Sequence, residues 1–88
     1  MKTDPKKSFL HDLKKVANSA IRAGIDRAVS AVVDASDIHD IPKLKKLKGY
    51  RIHYRIRVGN YRIGITIDGD LVTFIRCLPR KDFYKFFP

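Results

Sequence analysis

Tyr50-Arg51-Ile52-His53-Tyr54-Arg55-Ile56-Arg57-Val58, then Gly59-Asn60, then Tyr61-Arg62-Ile63, decides how this chain is read. Tyr50, Ile52, Tyr54, Ile56 and Val58 alternate with Arg51, His53, Arg55 and Arg57. A strand places successive side chains on opposite faces, so this spacing predicts a strand over 50–58 with one face for a core and one for anions. Gly59-Asn60 suits a two-residue hairpin turn of the primed type. That turn sets Arg57 across from Arg62, His53 across from Thr66, and Arg55 across from the bare Gly64. Like charges placed opposite each other cost stability. A polyanion that uses the face is the simplest reason to keep them.

The rest of the composition agrees. Eighty-eight residues make one domain, 1–88, with a single modest core. Residues 1–40 carry seven basic and six acidic side chains, whereas residues 41–88 carry twelve and three, a net +9. Charge gathered in one half points to nucleic acid, an anionic membrane or an acidic protein. The bland reading is a solvated basic surface, but the charge tracks one strand face. A membrane fits less well, because no apolar run approaches the ~20 residues of a span and the basic face lies on a strand. No apolar signal core follows the basic start, so a cytoplasmic location is expected. Cys77, the one cysteine, is expected to be a small buried residue near a strand end.

Upstream, Ser8 is a candidate N-cap for a helix carrying Phe9, Leu10, Leu13, Val16 and Ala17, with Asn18-Ser19 as a break. Ile21, Ile25, Ala28 or Val29, Val32 and Val33 mark a second helix ending near 34–36, and the short joint predicts a helical hairpin. Gly24 is tolerable there if the neighbouring helix packs close. Residues 37–49 read as a linker, broken at Pro42, with Leu44 and Leu47 inward and Lys43, Lys45, Lys46 and Lys48 wet. Strands are expected at about 50–58, 61–67 and 71–77, and residues 1–7 allow a short peripheral one. The length of the turn at Asp68-Gly69-Asp70 decides which face Val72, Phe74 and Arg76 take. Arg80 to Pro88 forms a short tail with Phe83, Phe86 and Phe87 free to dock. The expected class is α+β: an N-terminal helical hairpin on one face of a small antiparallel sheet, the basic face left open.

Metal and cofactor chemistry finds little support. His11, His39 and His53 share no ligand spacing, the acids are all Asp, and no glycine-rich phosphate loop is present. What remains is a basic concavity of phosphate size: Arg51, His53, Arg55, Arg57, Arg62 and Arg80, with Tyr84 beyond. Guanidinium forks grip phosphate and stabilise charge developing on a phosphodiester. RNA brings its own nucleophile, the 2′-hydroxyl, so such a site requires neither metal nor catalytic serine. Lys45, Lys46, Lys48 and Arg51 extend the basic surface as RNA contacts, although Arg51 is also expected to pair with Asp68. His53, read otherwise, is a strand residue hydrogen-bonded to Thr66.

Leu47-Lys48-Gly49-Tyr50, Tyr54-Arg55-Ile56-Arg57-Val58-Gly59-Asn60-Tyr61-Arg62-Ile63 and Arg80-Lys81-Asp82-Phe83-Tyr84 together resemble the RelE/ParE superfamily of toxin–antitoxin toxins. The resemblance runs over essentially the whole chain, and the Arg-Lys-Asp-x-Tyr segment favours the RelE side. It implies a ribosome-dependent mRNA endonuclease that uses the 2′-hydroxyl, takes no cofactor, and is silenced by a cognate antitoxin. It further implies that Arg55 and Arg57 occupy a basic pair commonly filled by lysine, that Arg62 meets the scissile phosphate, that Arg80 meets transition-state charge, and that Tyr84 stacks on a base and moves a proton. This chain departs in having arginine at 55 and 57, which cannot act as bases, and Pro79 where some nuclease relatives carry histidine. Tyr84 and His53 are then the titratable groups left. The alternatives are a ParE-like DNA gyrase inhibitor and an inactivated RNA-binding homologue.

Overall fold

A computed structural model describes residues 1–88. The chain runs β1 (Lys2–Pro5), α1 (Lys7–Lys14), α2 (Ser19–Asp34), a 3-10 turn (Ile38–Asp40), β2 (Leu44–Lys46), β3 (His53–Val58), β4 (Tyr61–Asp68), β5 (Leu71–Pro79) and α3 (Arg80–Phe86). The strands form one sheet in the order β1-β5-β4-β3-β2. β1 is parallel to β5 and the other neighbours are antiparallel, so the α+β class holds while the purely antiparallel sheet does not. The N-terminal unit is also different: a strand comes first, and the helices do not pair chiefly with each other. Helix α1 lies along β5, and α2 lies over β3. Eight residues make a helix of only about 12 Å, too short to clasp α2 along its length. Gly24 shows the consequence, since a Cβ there would come within 2.8 Å of Val58. The close neighbour is a strand rather than a helix.

The hairpins carry the alternation that positions the site. Tyr61, Ile63, Ile65 and Ile67 pair with Val58, Ile56, Tyr54 and, across β5, Val72, and these side chains build the core against Phe9, Ile25 and Val32. Gly59 has φ +55° and begins the β3–β4 turn, as the first position of a type II′ turn requires. Gly69, at φ +60°, does the same for β4–β5, where Asp68 faces Leu71. A two-residue turn therefore puts Val72 and Phe74 into the core. Between Gly64 and Ile65 the register slips, leaving Ile75 as an extra residue, so Cys77 takes the core position opposite Ile63. Arg76 is thereby turned away from the core, opposite Gly64.

Six local expectations are revised. The strand starts at His53, because residues 47–52 form the return from β2: the Leu47 amide donates to the His53 carbonyl and the Tyr50 amide to that of Leu47. The expected linker thus contributes an edge strand, with Leu44 facing Ile56. Ser8 does not cap α1; that position belongs to Lys6, and the Ser8 hydroxyl donates instead to the Ile75 carbonyl at 2.6 Å. Asn18, expected only as a break, caps α2 by accepting from the Ile21 amide. The tail is helix α3, and its Phe87 ring lies over Gly64 on the face opposite α1 and α2. That face is partly roofed rather than open.

Candidate nucleic-acid interface

Arg62 is the centre of the basic face. It sits on β4 directly across from Arg57 and, although charged, is only 8% exposed. One guanidinium nitrogen, Nη1, donates to the carbonyls of Gly59 and Tyr61, both at 2.9 Å. The hairpin turn thus holds the head group by its own backbone. No carboxylate answers it; the ion pairs of the structure are Arg22–Asp26, His39–Asp37 and Arg76–Asp12. Burial lowers the Arg62 pKa, the charges of Arg55, Arg80 and Arg57 lower it further, and Tyr84 works the other way. Arg62 remains a cation with no neighbouring carboxylate, and an anion placed beside such a group favours its charged form.

Arg55 weighs on Arg62 more than Arg57 does, although Arg57 is the directly opposed residue. Arg55 faces Gly64 on the same sheet face as Arg57 and Arg62. Its Nη1 is steadied by the Lys43 carbonyl at 3.0 Å. Helix α3 supplies the rest. The Arg80 amide donates to the Asn60 carbonyl at 2.7 Å, which ties the start of α3 to the hairpin turn. Asn60, Pro79, Arg80, Lys81 and Tyr84 line a cleft of about 570 Å³. The Tyr84 ring is more than half exposed, with its edge against Phe83.

The sequence-predicted site residues therefore divide. Arg55, Arg57, Arg62, Arg80 and Tyr84 come together. His53 lies at the other end of β3, packed between the rings of Tyr50 and Phe87 at 5.2 and 5.7 Å, with no hydrogen bond to Thr66. Among the lysines, Lys45 shares a face with Arg55, while Lys46 pairs with Tyr54 and takes the helix side. Lys48 and Arg51 are exposed in the β2–β3 return, and Arg51 makes no ion pair with Asp68.

Sequence reasoning missed the support beneath the site. Asp12 is buried on α1; its carboxylate accepts from Arg76 at 2.8 and 3.1 Å and from the Cys77 amide at 3.0 Å. β1 pairs only with residues 71–74, so Asp12 and Ser8 satisfy the open edge of β5 beyond it. An acid on the same helical stripe as Phe9 and Val16 was the available signal. The four-residue spacing of Phe83 and Phe87, both buried, was the signal for α3.

No protein-family model matches this chain. Individual proteins do. It is 45% identical over 83 residues to Toxin RelE3 of Methanocaldococcus jannaschii, covering 93% of each chain. The chain belongs to the RelE family of type II toxin–antitoxin toxins. It also superposes on the solved RelB–RelE antitoxin–toxin complex of Methanococcus jannaschii with TM-score 0.80 and 42% identity, covering 97% of this chain and 99% of the other. The intact E. coli RelBE complex matches at TM-score 0.68 and 21% identity, over 89% of this chain and 94% of that one, a likeness of fold alone. In this RelE-family chain the cationic cluster and α3 are built from the segments that carry the sequence resemblance.

Proposed function

We propose that this toxin is a ribosome-dependent mRNA endonuclease that promotes attack of the RNA 2′-hydroxyl on the adjacent phosphate. The observation that carries this reading is the convergence on buried Arg62 of three further guanidinium groups and the Tyr84 phenol, with no acid among them. Arg62 is assigned to the scissile phosphate, Arg55 and Arg57 to the flanking backbone, and Arg80 to charge that develops in the transition state. Tyr84, on the exposed side of α3, stacks on a base and serves the proton transfer. Lys45, Lys48 and Arg51 extend the electrostatic track. His53 is enclosed by aromatic rings and is assigned to packing. Few groups align the attacking oxygen, so the ribosome is assigned that task, and free RNA is cut poorly.

The partner in this reading is a cognate antitoxin, a role supported by the RelB–RelE complex of the similar Methanococcus jannaschii protein. A groove of about 500 Å³ between α2 and β3 offers it a seat: Ala20, Ile21, Gly24, Ala28 and Ile56 give an apolar floor, with Arg27, Lys43 and Arg57 at its rim. An amphipathic, acid-rich segment fits that pattern. The decisive assay adds purified toxin to ribosomes programmed with a defined mRNA. Cleavage restricted to ribosome-bound message supports the reading; intact message together with double-strand DNA breaks in expressing cells would point to gyrase instead.

A further inference from the structure

Helix α3 is fastened at both ends. At its start the Arg80 amide is held by the Asn60 carbonyl; at its end the Phe87 amide closes the last helical turn on the Phe83 carbonyl at 2.9 Å, and the Phe87 ring lies over Gly64 of β4. A Cβ built on Gly64 would stand 2.7 Å from two atoms of the Phe87 ring and 2.8 Å from a third. Gly64 lies inside β4 and is not in the left-handed region that favours glycine, so no turn explains it. The ring does. Phe87 is 3% exposed and is walled by Phe83 and His53, with ring centroids at 5.1 and 5.7 Å.

We propose that Phe87, seated on Gly64, is a positioning residue for the cleavage assigned above, on whose reading this role rests. Phe83 and Phe87 are four residues apart and face the sheet; Arg80 and Tyr84, also four apart, lie on a neighbouring stripe of the same helix. A seven-residue helix has almost no stability of its own, so packing sets its orientation. The Gly64 seat fixes the rotation of α3 about its axis, and that rotation aims Tyr84 and Arg80 at Arg62. The bare glycine in β4 and the phenylalanine twenty-three positions later are two halves of one device.

The test uses the full chain with Gly64→Ala, Phe87→Ala, the double substitution, and Gly64→Ala combined with Phe87→Leu. Single-turnover cleavage on programmed ribosomes is read beside hydrogen exchange of the 83–87 amides. Each single alanine change is expected to reduce the single-turnover rate by about 10²-fold while the apparent affinity for programmed ribosomes changes far less, as expected for a misplacement near 1 Å. Exchange in α3 should rise while the amides of β4 and β5 stay protected. The double alanine variant should be no worse than either single, and leucine at 87, which leaves room for the methyl group, should recover part of the rate lost in Gly64→Ala. Multiplying losses, or an α3 as protected in Gly64→Ala as in the wild type, would overturn the seat. A wild-type chain that leaves ribosome-bound mRNA intact would overturn the nuclease reading and the positioning role with it, although the exchange result would still report whether the seat exists.

Discussion

Arg62 and Arg57 face each other across the β3–β4 hairpin, and the more buried of the two is held by backbone carbonyls rather than by an acid. In the function proposed above, the same two charges, joined by Arg55 and Arg80, receive a phosphate, which is the reason to carry this repulsion. Stability and function oppose each other at this point.

Relieving the repulsion should therefore stabilise the free toxin. Arg57→Gln is expected to raise unfolding free energy by a few tenths to about 1 kcal/mol, the range of cross-strand pair effects. The same change should slow cleavage and flatten its dependence on salt. Urea titration and cleavage at several ionic strengths measure both; a variant that is both less stable and fully active would contradict the argument.

Proton transfer should separate the two titratable candidates. Tyr84→Phe is expected to lower the single-turnover rate by about 10²-fold or more, because its phenol is exposed beside the cluster. His53→Gln should retain most of the rate, since the imidazole is packed between Tyr50 and Phe87. The reverse ranking in the same assay would reassign the proton to the histidine.

The Asp12–Arg76 pair should matter for stability. Asp12→Ala leaves the Cys77 amide and a partly buried guanidinium without their acceptor, and the loss is expected to reach about 3 kcal/mol. Arg76→Met should cost less than Asp12→Ala: it strands the carboxylate from the guanidinium but keeps the Cys77 amide bond, and the thioether can pack on Phe86, where the guanidinium now lies at 5.5 Å. Denaturant midpoints of the two variants give the comparison.

Cys77 should be chemically silent. Burial first, and the nearby Asp12 charge second, push its thiol up to about 12. At pH 8 the thiolate is then scarce and screened, so iodoacetamide should label it only as fast as the chain unfolds. Stoichiometric labelling of the native protein within minutes would show that the β5 edge opens.

Much of this molecule was legible in its sequence, and the reasons are physical. The period-two alternation from His53 to Ile67 and the Gly59-Asn60 turn determine the β3–β4 register, so Arg57 opposite Arg62 and Arg55 opposite Gly64 followed directly, whereas the length of the Asp68-Gly69-Asp70 turn was left open. Residues whose placement depends on distant partners were not legible. Leu44–Lys46, read as linker, becomes a strand because β3 offers it an edge; at Lys2–Pro5 the short peripheral strand was allowed for, but its parallel pairing with β5 was not. The bulge at Ile75 that redirects Arg76 has no local signature, and the buried role of Asp12 exists only once α1 lies against β5. In the candidate site, charge was readable from composition and spacing, whereas the roof formed by α3 required the fold.

In the proposed reaction the RNA supplies the nucleophile and the arginine cluster stabilises its attack. The most direct measurement uses programmed ribosomes carrying an mRNA with a single 2′-deoxy substitution at the nucleotide 5′ of the mapped cut, compared with the all-ribose message, for wild type and Arg62→Ala. Wild type is expected to leave a 2′,3′-cyclic phosphate or its 3′-phosphate on the ribose message and not to cut the deoxy position. Arg62→Ala should cut the ribose message about 10²–10³-fold more slowly. Cleavage at the deoxy nucleotide, or a 3′-hydroxyl product, would contradict it.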